Sequence, residues 1–149
     1  VIEGAPVMGV VLAPAHDRLF CGLVGDGASE IAAGKARDIA VRPGPGSGPV
    51  AVASRSHRDE ETDHWLTAHG IAETISTGSS MKFCLVAAGE ADVYPRFGPT
   101  MEWDTAAGDA VLRAAGGRMI TPDGAPYLYG KPDYRSTAFI ACGGFMPSN

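Results

Sequence analysis

The chain has 149 residues, 45% of them hydrophobic, which suffices for one core of ordinary domain size. Twelve Lys and Arg against seventeen Asp and Glu leave a formal charge of -5, a surface with no general attraction for nucleic-acid backbones or anionic membranes. No run approaches the ~18 uninterrupted apolar residues of a membrane span, and Cys21, Cys84 and Cys142, odd in number and each within an apolar run, suggest neither a zinc site nor a disulfide framework.

Val7 to Leu12 and Leu19 to Val24 are apolar β-type runs separated by Ala13 to Arg18 with Pro14 and Asp17, and they predict a hairpin. Gly25 to Gly34 is rich in Gly and Ala without a clear period. Asp38 to Arg42 reads as a short strand, and Arg42 to Pro49 as a Pro/Gly/Ser connector. The connector joins two lobes of one domain, 1–42 and 50–149, because neither side alone holds enough apolar residues for its own core. With Val1 in place of an initiator Met and a strand starting almost at once, the chain reads as cut from something longer.

Beyond the connector, short strands alternate with helices. Val50 to Ser54 is a strand and Arg58 to His69 a helix, with Ser56 and Asp59 as a capping-box pair and Gly70 as the left-handed terminator. Ala72 to Ser76 is a strand. Ser80 to Gly89 is a helix with Met81, Cys84, Leu85 and Ala88 on one face, and Ala91 to Phe97 is another strand. A third helix starts at Asp104 and carries the small-residue stripe Ala107, Ala110, Val111 and Ala114 up to Gly116 and Gly117, which implies close packing on a sheet. Arg118 to Thr121 and Thr137 to Cys142 are the last strands. The order predicts a layered α/β fold with a mixed sheet after an antiparallel hairpin.

Three places could carry chemistry. In Gly78-Ser79-Ser80-Met81-Lys82 a strand ends and a helix opens, so backbone N–H groups and two hydroxyls converge where phosphate binds well, although either Ser fits equally as a plain N-cap. Asp104, after Trp103, places a carboxylate in a first helical turn where it could hold Mg²⁺ through oxygen, cap the helix, or do both. Lys82 and Arg96 are candidates for a second anion. Ser54, Arg55, Ser56 and His57 offer hydroxyls, a cation and a ring at a strand end, and each also fits an ordinary surface role. Trp65 is expected in the core. No nucleophile elbow, Walker sequence, His-Glu-x-x-His or dinucleotide fingerprint is present.

Taken together, these segments resemble a known family. Trp103-Asp104-Thr105-Ala106-Ala107-Gly108, followed by an apolar helix and Gly116-Gly117, is similar to the C-terminal signature of the inositol monophosphatase superfamily. Ser54-Arg55-Ser56-His57, Gly78-Ser79-Ser80-Met81-Lys82-Phe83-Cys84 and Tyr94-Pro95-Arg96-Phe97-Gly98-Pro99-Thr100 resemble its bacterial 3'(2'),5'-bisphosphate nucleotidase branch. The resemblance implies the C-terminal part of a sugar-phosphatase fold and Mg²⁺-dependent removal of the 3'-phosphate of 3'-phosphoadenosine 5'-phosphate to give AMP, a disposal step of sulfate assimilation.

By the same resemblance Asp104 is a catalytic metal ligand bordering the ribose, Ser79, Ser80, Lys82 and Arg96 hold the 5'-phosphate side, and Ser54 and His57 belong to the substrate site, His57 near the base. The family's upstream Glu and Asp-Pro-x-Asp-Gly-Thr segment, which supply most metal ligands, do not occur in the chain. An inositol monophosphatase acting on a sugar phosphate, and a non-catalytic binding domain of the same fold, remain as alternatives. The expected partner is a small nucleotide bisphosphate rather than nucleic acid. Reduced thiols fit a cytoplasmic protein, with a peripheral position at the cytoplasmic face of the inner membrane left open, and the oligomeric state is not legible.

Overall fold

A computed structural model describes residues 1–54 and 59–145; the readings placed on Arg55, Ser56, His57 and Arg58 lie outside the described residues. Strands β1 (Met8–Ala13), β2 (Arg18–Leu23), β3 (Gly27–Ala32) and β4 (Lys35–Ile39) form an antiparallel meander in that order. The expected hairpin is β1 and β2, paired from Met8 opposite Leu23 to Ala13 opposite Arg18.

The meander corrects two expectations. The stretch without a legible period contains β3, whose inward positions are Ala28 and Glu30, and a carboxylate in an inward slot erases the alternation that marks a strand. Glu30 is 2% exposed and receives hydrogen bonds from Arg18 Nε and, at 2.7 Å, from Arg37 Nε. Burial pushes its pKa up, and the hydrogen bonds from the two guanidinium groups outweigh that and hold it below the ordinary value. The strand expected at Asp38 to Arg42 lies earlier, at Lys35–Ile39, because its register is set by pairing with β3 from Lys35 opposite Ala32.

The second sheet is mixed, as expected. It comprises β5 (Val50–Ala53), β6 (Glu73–Ser76), β7 (Val93–Arg96), β9 (Arg118–Ile120) and β11 (Phe139–Cys142), in the order β6-β5-β7-β11-β9. β5 runs parallel to β6 and β7, and β11 runs antiparallel to β7 and β9. A two-stranded ribbon of β8 (Thr100–Met101) and β10 (Arg135–Ser136) is too short to have left a pattern in the sequence.

Helix boundaries follow capping chemistry. α1 (Glu60–Ala68) is capped by Asp59, whose carboxylate accepts the Thr62 N–H at 2.7 Å. The expected Ser56–Asp59 pair is corrected accordingly: Asp59 is itself the cap. Gly70 ends the turn with φ of +65°, as expected. α2 is Met81–Ala87. α3 (Glu102–Ala114) begins two residues before Asp104. Asp104 therefore sits inside the first turn, and its Oδ2 reaches back to accept the Met101 N–H at 3.3 Å.

α2 and α3 lie between the two sheets. One core cluster joins Phe20, Ala28 and Ile39 of the meander to Phe83 of α2, Val111 and Leu112 of α3, and Val52, Tyr94 and Phe139 of the mixed sheet, so it draws on both sides of the connector. A second cluster, Ala51, Leu66, Ile71, Val93, Ile140 and Cys142 with Trp65 against it, fills the far side of the mixed sheet under α1. Val52 and Ala51, Tyr94 and Val93, and Phe139 and Ile140 thus face opposite ways, the period of two that a sheet covered on both faces requires.

The small-residue stripe of α3 meets glycines on the meander. A Cβ on Gly9 would fall 2.1 Å from the Ala107 carbonyl oxygen, and one on Gly22 would fall 2.8 Å from the Ala114 Cβ. Glycines on the sheet and small side chains on the helix bring the two backbones together, and this fixes where the first turn of α3, and hence Asp104, is held.

Candidate functional site

A cavity of about 430 Å³ opens at the carboxyl ends of β5 and β7, lined by Ser54, Gly78, Ser79, Lys82, Phe83, Tyr94, Arg96, Thr100, Asp104 and Thr105. Parallel strands leave a crevice at these ends because their connections depart in different directions. The structure thus gathers five sequence candidates, Ser54, Ser79, Lys82, Arg96 and Asp104. A larger hollow of about 630 Å³ on the meander has Asp26 and Asp38 and, among the described residues, no cation in its lining.

Lys82 is the central feature. It is 2% exposed and is among the residues that line the cavity, and its Nζ lies 5.1 Å from the Tyr94 ring centroid. Among the described residues no carboxylate forms an ion pair with it. Burial, and then the nearby Arg96 guanidinium, push its pKa down to about 8. Arg96 is held by backbone: Nε donates to the Gly98 carbonyl at 3.3 Å and a terminal nitrogen to the Pro99 carbonyl at 2.8 Å. Its other terminal nitrogen donates to the Tyr94 hydroxyl at 3.4 Å. It too lacks a carboxylate partner among the described residues. Two cations that share a cavity and form no ion pair among the described residues make a candidate anion site.

Asp104 faces them from α3. Oδ2 accepts hydrogen bonds from the Thr100 hydroxyl at 3.0 Å and the Met101 N–H, while Oδ1 accepts none among the described residues. One carboxylate oxygen thus caps the helix while the other is not engaged by a hydrogen bond among the described residues. Ser79 holds φ of +51°, a left-handed conformation that costs a non-glycine residue of order 1 kcal/mol and keeps the turn open to the cavity. Ser80 lies elsewhere: its hydroxyl donates to the Asp104 carbonyl at 3.1 Å, tying α2 to α3, and it does not line the cavity. His57 lies outside the described residues.

Tyr94, Thr100 and Thr105 are lining residues to which sequence reasoning gave no role. The signal for Tyr94 was present, since it stands two residues before Arg96 in a strand and so shares its face. Thr100 is legible only once the helix start is known. The neighbouring buried carboxylates are committed elsewhere. Glu102 accepts from the Gly130 and Lys131 N–H groups at 2.9 and 3.1 Å, and Asp109 accepts from Arg113 and the Tyr129 hydroxyl at 2.9 and 3.0 Å.

Asp104 offers an oxygen donor of the kind Mg²⁺ takes, and Oδ1 carries no hydrogen bond among the described residues that would compete with ligation. Among the described residues it is the one carboxylate in the cavity lining, and no group of three or more His, Cys, Asp or Glu able to hold a metal occurs among them. The fit is that of a single ligand, not a complete set.

Comparison with known proteins identifies the family and the fold. The model of the inositol monophosphatase family matches residues 1–143. The 3'(2'),5'-bisphosphate nucleotidase CysQ of Escherichia coli is 45% identical over 127 residues, covering 85% of this chain and 50% of that protein. The chain therefore spans about half the length of that relative. The crystal structure of CysQ from Bacteroides thetaiotaomicron, a bacterial member of the inositol monophosphatase family, superposes with a TM-score of 0.84 at 38% identity over 97% of this chain and 60% of that one. Inositol monophosphatase from Anabaena gives 0.74 at 27% identity over 97% of this chain and 58% of that one. With the family model matching residues 1–143 and the mixed α/β fold shared with these solved structures, the chain belongs to the inositol monophosphatase family.

Proposed function

We propose that the chain carries the substrate-recognition side of a Mg²⁺-dependent phosphomonoesterase that converts 3'-phosphoadenosine 5'-phosphate to AMP in the recycling of a sulfate-assimilation by-product. The observation that carries this reading is that Lys82 and Arg96 share one cavity opposite Asp104 and neither forms an ion pair among the described residues. A substrate with two phosphates needs a reacting end and a holding end, and a bare cation pair is a holding end. The name of the Escherichia coli relative supports the same substrate class.

In this reading Lys82 and Arg96 bind the 5'-phosphate, Ser54 and Ser79 contribute hydroxyls at the rim, and His57 lies toward the base. Ser80 acts through Asp104, holding its helix turn. Asp104 borders the ribose and would hold Mg²⁺ through Oδ1, with the remaining ligands supplied from outside these 149 residues. When bound, Mg²⁺ neutralises the transferring phosphoryl group and activates water. The cavity then keeps the nucleotide in one orientation, which converts binding energy into alignment at the reacting phosphate. We propose a cytoplasmic setting, supported by the three cysteines being thiols. No helix among the described residues is long and apolar enough to cross a membrane.

The test is calorimetric binding of 3'-phosphoadenosine 5'-phosphate and of adenosine 3'-monophosphate to wild-type and Lys82→Ala chain. Loss of a charge-assisted hydrogen bond of roughly 1.5–3 kcal/mol weakens the bisphosphate about 10- to 150-fold and the monophosphate far less. Equal losses on both ligands would remove Lys82 from the 5'-phosphate and with it the main support for the nucleotidase reading.

A further inference from the structure

We propose that the cavity is also a reversible covalent capture site for small phosphorylated aldehydes, with the Lys82 amine as nucleophile and Arg96 as the phosphate anchor. A lysine becomes nucleophilic when it is desolvated beside another cation, since both conditions favour the neutral amine. Lys82 meets them structurally. It is 2% exposed, its neighbour across the Tyr94 ring is Arg96, and no carboxylate among the described residues pairs with it. The charged or titratable groups around it are Arg96 and Tyr94 on β7 and Asp104 on α3, which share the cavity lining.

The other two lysines of the chain form an internal comparison. Lys35 is exposed on β4 and is not in the lining of the cavity. Lys131 lies 3.3 Å from Glu102, a carboxylate contact of a kind that Lys82 lacks among the described residues. Lys82 alone of the three combines burial, a cationic neighbour and a cavity, and its pKa of about 8 leaves roughly a tenth of it unprotonated at about pH 7.

The anchor is equally specific. A guanidinium has five N–H donors in a fork, and the hydrogen bonds of Arg96 to Gly98, Pro99 and Tyr94 leave donors for an anion. The volume of about 430 Å³ falls within the range of about 300–1,000 Å³ typical of small-molecule sites. In the covalent step the amine lone pair forms a C–N bond to the aldehyde carbon and the carbonyl oxygen takes a proton. The carbinolamine then loses that oxygen as water together with the second amine proton, leaving C=N. No oxidant or reductant takes part, and hydrolysis reverses it.

The experiment is to incubate the purified chain with pyridoxal 5'-phosphate, trap the imine with borohydride and map the label over Lys35, Lys82 and Lys131 by mass spectrometry. Parallel arms use pyridoxal without phosphate, inorganic phosphate as competitor, and Arg96→Met. The expected result is about tenfold more label at Lys82 than at Lys35, reduced at Lys82 but not at Lys35 by phosphate, by omitting the phosphate from the aldehyde, and by Arg96→Met. Label at Lys82 no greater than at Lys35, or indifferent to phosphate, would overturn the proposal. The wild-type map does not depend on any variant folding. It also separates this proposal from the nucleotidase reading. Selective label in a chain that does not bind 3'-phosphoadenosine 5'-phosphate sinks that reading and sustains this one, and nucleotide binding without selective label does the reverse.

Discussion

The ammonium of Lys82 lies 5.1 Å from the centroid of the Tyr94 ring, and the hydroxyl of the same tyrosine accepts a hydrogen bond from Arg96 at 3.4 Å. One aromatic side chain thus spaces two cations that repel each other. Its face stabilises one through cation–π attraction and its edge steadies the other, and the result is a site kept open for an anion at the expense of the empty fold.

That expense is measurable. A lysine with a depressed folded pKa binds fewer protons folded than unfolded between about 8 and about 10.4, so its contribution to stability rises with pH across that window and its cost is full below about pH 8. Burial first and Arg96 second cause the depression. Lys82→Met should therefore stabilise the ligand-free chain by on the order of 2–3 kcal/mol at about pH 7 and by much less near pH 10. Thermal unfolding of both proteins at the two pH values checks this, and a gain independent of pH would mean that the charge is not what costs stability.

Asp104→Asn separates capping from ligation. The amide oxygen still accepts the Met101 N–H and preserves the helix start to within about 1 kcal/mol, but it lacks the charge that Mg²⁺ favours. In the polypeptide that carries the remaining metal ligands, turnover should fall by at least about 100-fold with the melting temperature nearly unchanged. Normal turnover at saturating Mg²⁺ would leave Asp104 with a capping role alone.

Gly9→Ala tests the approach of α3 to the meander. The added Cβ would meet a backbone carbonyl oxygen at 2.1 Å, which cannot swing aside as a side chain could. A destabilisation of about 3 kcal/mol or more is expected, whereas Gly44→Ala, with nothing within 4 Å, should stay within about 0.5 kcal/mol. Chemical denaturation of the pair is the measurement, and similar midpoints would refute the close packing.

The outer face of β1 carries Met8, Val10 and Leu12 at 67%, 53% and 63% exposure beside an open strand edge, a combination that promotes association. Val10→Lys should lower the sedimentation-average mass of the chain at high concentration and leave its folded spectrum intact. An unchanged, concentration-independent mass in both proteins would remove this face as an association surface.

Much of the architecture was legible because its signals are local. The Met8–Ala13 and Arg18–Leu23 hairpin, the stop at Gly70 and the apolar strands around Val52 and Phe139 follow from apolar runs, turn residues and backbone preferences that a short segment contains. β3 was hidden because Glu30 occupies a core-facing slot whose charge is balanced only by Arg18 and Arg37 from other strands. The start of α3 was misplaced by two residues because Asp104 caps from within the first turn.

For the site, the sequence by itself determined which side chains could do chemistry: Lys82 and Arg96 are cations and Asp104 is an oxygen ligand whatever surrounds them. It could not decide their states or company. Tyr94 entered the site, and Ser80 left the cavity to hold the Asp104 turn, only through contacts between separate elements. The charge balance of Lys82 was likewise set by burial and by Arg96. Identity is a property of one residue, whereas desolvation and Coulomb interaction depend on distances between residues far apart in the chain, and these exist only once β5, β7, α2 and α3 have packed.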